Sequence, residues 1–193
     1  LTVFVSAGNE ADDGQHDSAS VIPGATSGTI AYSVTNSSAS PYTDLQWIQV
    51  NWRDDSPFSD NATLSCSNLG AGESLVDAGY GTSTRSTEAK IYLLTPNISG
   101  SSSKTYQFQI ANTAGSGTTP LFHLYSVNGI GTFDSPDSSY TVGAPALADS
   151  AIAVGAWVHR KNWTNYTGST YSYSGSTLNT LATFSSRGPR IDG

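Results

Sequence analysis

Few residues in this chain are of kinds that do chemistry unaided, and their spacing narrows the choice further. The histidines, His16, His123 and His159, lie in three separate segments and show none of the short spacings of a zinc site. Cys66 is the sole cysteine, so neither an intrachain disulfide nor a thiolate metal site can form. It reads as a small, half-buried core residue. Asp12, Asp13 and Asp17, and again Asp134 and Asp137, offer oxygens suited to a hard cation. Neither run has the spacing of a calcium loop, and Asp in such turns ordinarily accepts hydrogen bonds from nearby backbone. The expectation is no metal and no cofactor, with calcium the one ion the carboxylates leave open. Trp47, Trp52, Trp157 and Trp163 have rings that stack on sugars or grip peptides when exposed. At strand spacing they read as core.

The charge balance limits the partners. The net charge is -7 with eight Lys and Arg, all scattered, which argues against nucleic acid, whose phosphates call for clustered cations. No apolar run approaches the length needed to cross a bilayer, so no membrane partner is expected. Charged residues make up 12% of the chain, and 31 Ser with 22 Thr supply the polar surface instead. That composition suits strands and turns and is common in exported bacterial proteins, so a secreted or cell-surface location is expected. The chain opens on Leu1, contains no Met and shows no signal peptide, and reads as a fragment. Five Asn-x-Ser/Thr sequons, at Asn36, Asn61, Asn97, Asn162 and Asn165, are within chance for so hydroxyl-rich a chain.

The elements that must position any site fall into three stretches. Leu1 to Val5 is apolar and β-branched and ends in Ser6-Ala7-Gly8-Asn9, the pattern of a buried parallel strand with a turn at its carboxyl end. Glu10 to Ser20 is polar. Half-buried strands follow at Ile30–Val34, Leu45–Trp52, Ala62–Cys66, Ser74–Asp77, Ala89–Leu94, Lys104–Ala111 and Leu121–Ser126, broken by Gly, Ser, Asn and Pro. Their alternation predicts an antiparallel sandwich. Past Gly131 the pattern changes again. Gly143-Ala144-Pro145 leads into a single helical turn over Ala146–Ser150, Ala151 to Ala156 reads as a second parallel strand, and Asn162 to Thr177 as an exposed hairpin or loop. No segment carries a sustained 3.6-residue repeat.

Three blocks, in order, resemble the subtilisin-like serine proteases: Val3-Phe4-Val5-Ser6-Ala7-Gly8-Asn9-Glu10, Gly143-Ala144-Pro145 through Ala156, and Phe184-Ser185-Ser186-Arg187-Gly188-Pro189. The flanking stretches that hold them span about seventy residues, roughly a third of the chain. The resemblance implies that Asn9 is the oxyanion-hole donor, an amide held at the carboxyl end of a buried strand where open α/β sheets bind ligands. It implies that Gly143, Ala144 and Pro145 line the floor of the primary specificity pocket, with a cis Ala144–Pro145 bond compatible with that place. Glu10 would stand at the pocket rim and favour basic side chains, or be a solvated loop charge. Ser185, Ser186 and Arg187 look structural.

Two departures from the family pattern matter. Its order of Asp, His and Ser would place the first two before Leu1 and the nucleophile after Gly193, so this chain alone is expected to be inactive. Asn9 and Gly143 are 134 positions apart, where the family has a short loop. A folded insertion with adjacent ends accounts for that gap. The expected fold is mainly β: an antiparallel, jelly-roll-like β-sandwich insertion flanked by two fragments of a subtilisin-type α/β doubly wound domain. Residues 1–19 and 138–193 would be the catalytic-domain fragments and residues 20–137 the insertion. The expected partners are the remainder of the catalytic domain and a peptide or protein substrate of a secreted endopeptidase. The alternative is a β-sandwich binding module for carbohydrate or protein. Without the missing sheet, the apolar flanks are expected to fray, dimerise or exchange strands.

Overall fold

The computed structural model describes residues 3–53, 60–83, 87–128 and 130–191. The described chain is all β, with no helix among the described residues, and it divides into two compact units. One joins Leu1–Asp13 to Ser138–Arg190, and the other holds Gly14–Asp137. Leu1 and Thr2, read as the start of the first strand, lie outside the described residues.

The Gly14–Asp137 unit contains β2 (His16–Ser20), β3 (Ile30–Asn36), β4 (Gln46–Arg53), β5 (Ala62–Cys66), β6 (Ser74–Thr82), β7 (Thr87–Thr95), β8 (Ser102–Asn112), β9 (Leu121–Ser126) and β10 (Gly131–Phe133). They form two antiparallel sheets, ordered β10-β3-β8-β5 and β2-β9-β4-β7-β6. The period-2 pattern decides which face turns inward. Ile30, Tyr32 and Val34 of β3 and Tyr106, Phe108 and Ile110 of β8 meet Ile48, Val50 and Trp52 of β4 and Tyr92 and Leu94 of β7 in one core. Three pairings nest one inside the next, β2 with β9, β3 with β8 and β4 with β7, as in one long hairpin. Two further pairings, β9 with β4 and β8 with β5, roll that hairpin onto itself.

Buried polar groups in this unit are closely tied. The Glu73 carboxylate takes hydrogen bonds from the backbone N–H groups of Gly70 and Asn97, from the Tyr106 hydroxyl and from Lys104. Burial raises its pKa, but these donors prevail and hold it at about 2. Lys90, nearly buried on β7, lies 2.9 Å from carboxylate oxygens of both Asp60 and Asp77. Asn36 is buried and donates to the carbonyls of Ser40, Ile98 and Ser99, so that sequon presents no free amide to solvent.

His16 and His123 form a buried pair, with Nε2 of His16 3.1 Å from Nδ1 of His123. Nδ1 of His16 is 2.8 Å from the carbonyl oxygen of Asp137. A carbonyl only accepts, so in the neutral pair His16 carries its proton on Nδ1 and its Nε2 accepts from Nδ1–H of His123. Burial first, and then the neighbouring His16, lower the pKa of His123 from 6.5 to about 4.

The Leu1–Asp13 and Ser138–Arg190 unit holds β1 (Val3–Ser6) parallel to β11 (Ala151–Val154), with Val3 opposite Ala151 and Ser6 opposite Val154. It also holds the hairpin of β12 (Asn162–Thr164) and β13 (Thr170–Ser172), whose turn is closed by Asn165. The α/β doubly wound character expected of the flanks reduces here to this parallel pair. Residues 145–151 make two successive four-residue β-turns, Ala148 N–H to Pro145 O at 3.1 Å and Ala151 N–H to Ala148 O at 3.0 Å, in place of a helical turn. No 3.6-residue repeat favours a helix over them. Nor are both strand faces buried as expected: Phe4 is 68% exposed, and Val3, Ile152 and Val154 are exposed too.

The stability of the chain should depend on pH through His123. Its folded-state pKa lies below its unfolded value, so the unfolded chain binds the extra proton between pH 6.5 and about 4. Stability is complete above that window and is lost as pH falls through it, by on the order of 3 kcal/mol. Asp17, raised by burial, acts in the opposite sense just above its ordinary 3.8. Urea unfolding at pH 7 and pH 4.5 should show the loss, and His123→Gln should flatten the profile. An equally steep profile in the variant would show that His123 is not its source.

Candidate functional site

Two adjacent serines organise the carboxyl ends of the parallel pair. Ser185 is fully buried, and its hydroxyl accepts the N–H of Ala156, two residues past β11, at 3.0 Å. Ser186 serves the end of β1. Its N–H donates to the carbonyl of Gly8 at 3.0 Å and its hydroxyl accepts the N–H of Glu10, also at 3.0 Å. The same hydroxyl donates to Oε2 of Glu10. Ala7 N–H to Val154 O at 2.9 Å and Ala11 N–H to Phe184 O at 3.1 Å extend the seam on either side.

Gly8, at φ 106°, is the one residue type this turn admits. A Cβ there would fall on Oε2 of Glu10 and 2.8 Å from Oγ of Ser186. Asn9 stands exposed between two residues that are each fastened to Ser186. The backbone is thus fixed on both sides of an exposed residue.

Gly143, Ala144 and Pro145 are exposed, and the Ala144–Pro145 bond is cis. Their segment is attached through Thr141, whose N–H donates to the carbonyl of Arg187 at 2.9 Å while its hydroxyl accepts the Arg187 N–H at 2.9 Å. Tyr140 N–H reaches the carbonyl of Gly188 at 3.4 Å. The Gly8–Glu10 loop and the Tyr140–Pro145 segment are therefore both hydrogen-bonded to one run, Ser186–Gly188. One run thus sets the backbone positions of both segments.

The remaining candidate residues lie elsewhere. His16 and His123 are buried in the sandwich unit and His159 is exposed in the other. Among the described residues no three His, Cys, Asp or Glu side chains are grouped closely enough to hold a metal ion. Oδ1 of Asp17 accepts the Ser18 N–H at 2.7 Å, and Oδ1 of Asp134 accepts from the Ser33 hydroxyl. Trp52 is core, but Trp47, Trp157 and Trp163 are exposed, which corrects their reading as core. Trp47 has the outward parity on β4, one position off Gln46, Ile48, Val50 and Trp52. Trp163 stacks on Tyr171 across an exposed hairpin, with ring centroids 5.8 Å apart.

Sequence reasoning assigned Ser186 no more than a structural place. Its partner Glu10 is 176 positions away, and the only signal was the Ser185-Ser186 doublet within the third block. The His16–His123 pair, 107 positions apart, left no signal at all.

No family model matches the chain, and no curated protein does. Among solved structures it is similar to the CspB protease of Clostridium perfringens, with a TM-score of 0.56 at 16% identity. The match covers 99% of this chain and 39% of that protein, so the chain spans well under half of its length. At that identity the likeness is one of fold. The chain carries a mainly β fold.

Gly8→Ala should cost about 1–3 kcal/mol, because it combines a left-handed backbone with a blocked side-chain position. Calorimetry should register this as a drop of several degrees in melting temperature. An unchanged melting temperature would mean that the loop is not held as described.

Proposed function

We propose that this chain is a segment of a secreted subtilisin-like serine endopeptidase, in which it supplies the oxyanion donor Asn9 and part of the specificity pocket. The observation that carries this reading is the shared attachment of the Gly8–Glu10 loop and the Tyr140–Pro145 segment to Ser186–Gly188, at the carboxyl ends of a parallel strand pair. The crevice beyond such strand ends is where α/β folds bind ligands. As a peptide bond is attacked, the Asn9 side-chain amide donates to the carbonyl oxygen that gains charge. Gly143, Ala144 and Pro145 line the pocket for the side chain before the scissile bond, and the Glu10 carboxylate stands at its rim. The catalytic Asp, His and Ser come from chain beyond this segment. That remainder also covers the exposed apolar side chains of Val3, Phe4, Ile152 and Val154.

The sandwich is read as a jelly-roll inserted between the two strands. Supporting this are the nested pairings β2·β9, β3·β8 and β4·β7, rolled through β9·β4 and β8·β5. A binding role for the sandwich finds some support in a patch of exposed apolar side chains, Leu45, Trp47 and Val127, joined through Val127 N–H to Trp47 O at 2.9 Å. That role is compatible with the protease and does not replace it.

Asn9→Ala, introduced into the longer protein that carries this segment, should reduce turnover of a peptide substrate by about 10²–10³-fold, as loss of an oxyanion donor does in subtilisin. The 193-residue chain alone should hydrolyse nothing. Unchanged turnover in the Asn9 variant would remove the oxyanion role.

A further inference from the structure

We infer that Ser186 is the positioning residue for Asn9, and that it acts through a closed ring of hydrogen bonds with Gly8 and Glu10. This rests on Asn9 being the oxyanion donor. An exposed asparagine on an untethered loop samples many orientations, and a donor helps catalysis only if it is already aimed where charge develops. The chain solves that problem with one side chain. The Ser186 hydroxyl is buried, accepts the Glu10 N–H at 3.0 Å and returns its own proton to Oε2 of the same glutamate. Its backbone N–H meanwhile holds the Gly8 carbonyl at 3.0 Å. Residues 8 and 10 are thereby fastened to a single point, and the φ/ψ freedom left to Asn9 between them is small. Gly8 has no Cβ to obstruct the ring, at a φ of 106° that a side chain would resist.

The ring gives Glu10 a role distinct from reading substrate. Oε2 is engaged by Ser186, so the carboxylate is held back against its own loop. Glu10→Ala should therefore loosen the loop as well as alter the pocket rim. Ser185 makes no bond to this loop in the seam described above: its hydroxyl goes to Ala156 and its N–H to Ala182 O at 3.1 Å. The two serines are thus separable, one for each strand end.

The test reads the loop and the chemistry independently. In the isotopically labelled longer protein that carries this segment, Ser186→Ala should lower the hydrogen-exchange protection of the Glu10 amide by about tenfold or more. Protection of the Ala7 amide, bonded to Val154, should stay as it is. Glu10→Ala should broaden the Asn9 side-chain amide resonances in the same way, and it decides the matter if the Ser186 variant does not fold. Unchanged Glu10 protection with Ser186→Ala, or unchanged Asn9 resonances with Glu10→Ala, overturns the ring. In the longer, peptidase-active protein, Ser186→Ala should reduce turnover about tenfold with KM within about twofold, the signature of a misaimed donor. Turnover that falls with Asn9→Ala but not with Ser186→Ala overturns the positioning role. Turnover indifferent to Asn9→Ala, with the loop still loosened by Ser186→Ala, overturns the oxyanion reading instead and leaves the ring a loop anchor.

Discussion

The hydrogen bonds between His16 and Asp137 hold the two ends of the sandwich unit together, and the rest of the chain's organisation depends on that closure. Asp137 N–H donates to the His16 carbonyl at 2.9 Å, and Nδ1–H of His16 donates to the Asp137 carbonyl at 2.8 Å. Phe133 N–H to Gly14 O at 2.8 Å adds a third bond beside them. Joining distant chain ends costs entropy that rises only slowly with length, and a folded unit with adjoining ends has already met most of it. To the chain before Gly14 and after Asp137, the unit is then equivalent to a short connection. Strands β1 and β11, 148 positions apart from Val3 to Ala151, pair in parallel register on that condition.

The same economy of means recurs at the strand ends. Parallel strands leave their carboxyl-terminal loops side by side, and here one short run, Phe184–Gly188, ties down both. Its consecutive residues take alternate partners, Ser185 toward β11, Ser186 toward β1, and Arg187 toward Thr141. A turn at Ser185, whose N–H donates to the Ala182 carbonyl at 3.1 Å, separates the two neighbouring serines' partners, so they serve two different strands. The candidate site residues themselves need no burial for this. Asn9 and Gly143 are exposed, and their positions are set by backbone attachments a residue or two away.

The sandwich was largely legible in the sequence because its core strands alternate cleanly. Ala62–Cys66 and Leu121–Ser126 have the expected bounds, β7 and β8 extend the expected runs by one or two residues at each end, and β4 is shifted by one residue. β2 was not legible, since His16-Asp17-Ser18-Ala19-Ser20 has no apolar alternation and owes its extended form to pairing with β9. β10 is three residues long, too short for any pattern to register. In the other unit the parallel strands could be read from their β-branched runs, but the helices implied by family resemblance had no periodic segment behind them. Asn9, Glu10 and Gly143–Pro145 were picked out by block order, and the hydrogen bonds of Ser186 with Gly8 and Glu10 were invisible because they join residues of ordinary type 176 or more positions apart.

The nesting of the strand pairs also imposes an order in time. The loop enclosed by β4 and β7 is the shortest, that of β3 and β8 is longer, and that of β2 and β9 is longer still. Pairings that close long loops form slowly, so assembly should proceed from the innermost pair outward and reach the His16–Asp137 neck last. During synthesis β1 emerges well before β11 exists, so the parallel pair waits for the whole of the sandwich to be made. Of the strands described, β1 is thus the earliest made and among the latest to meet its partner β11, and its apolar side chains are carried through that interval.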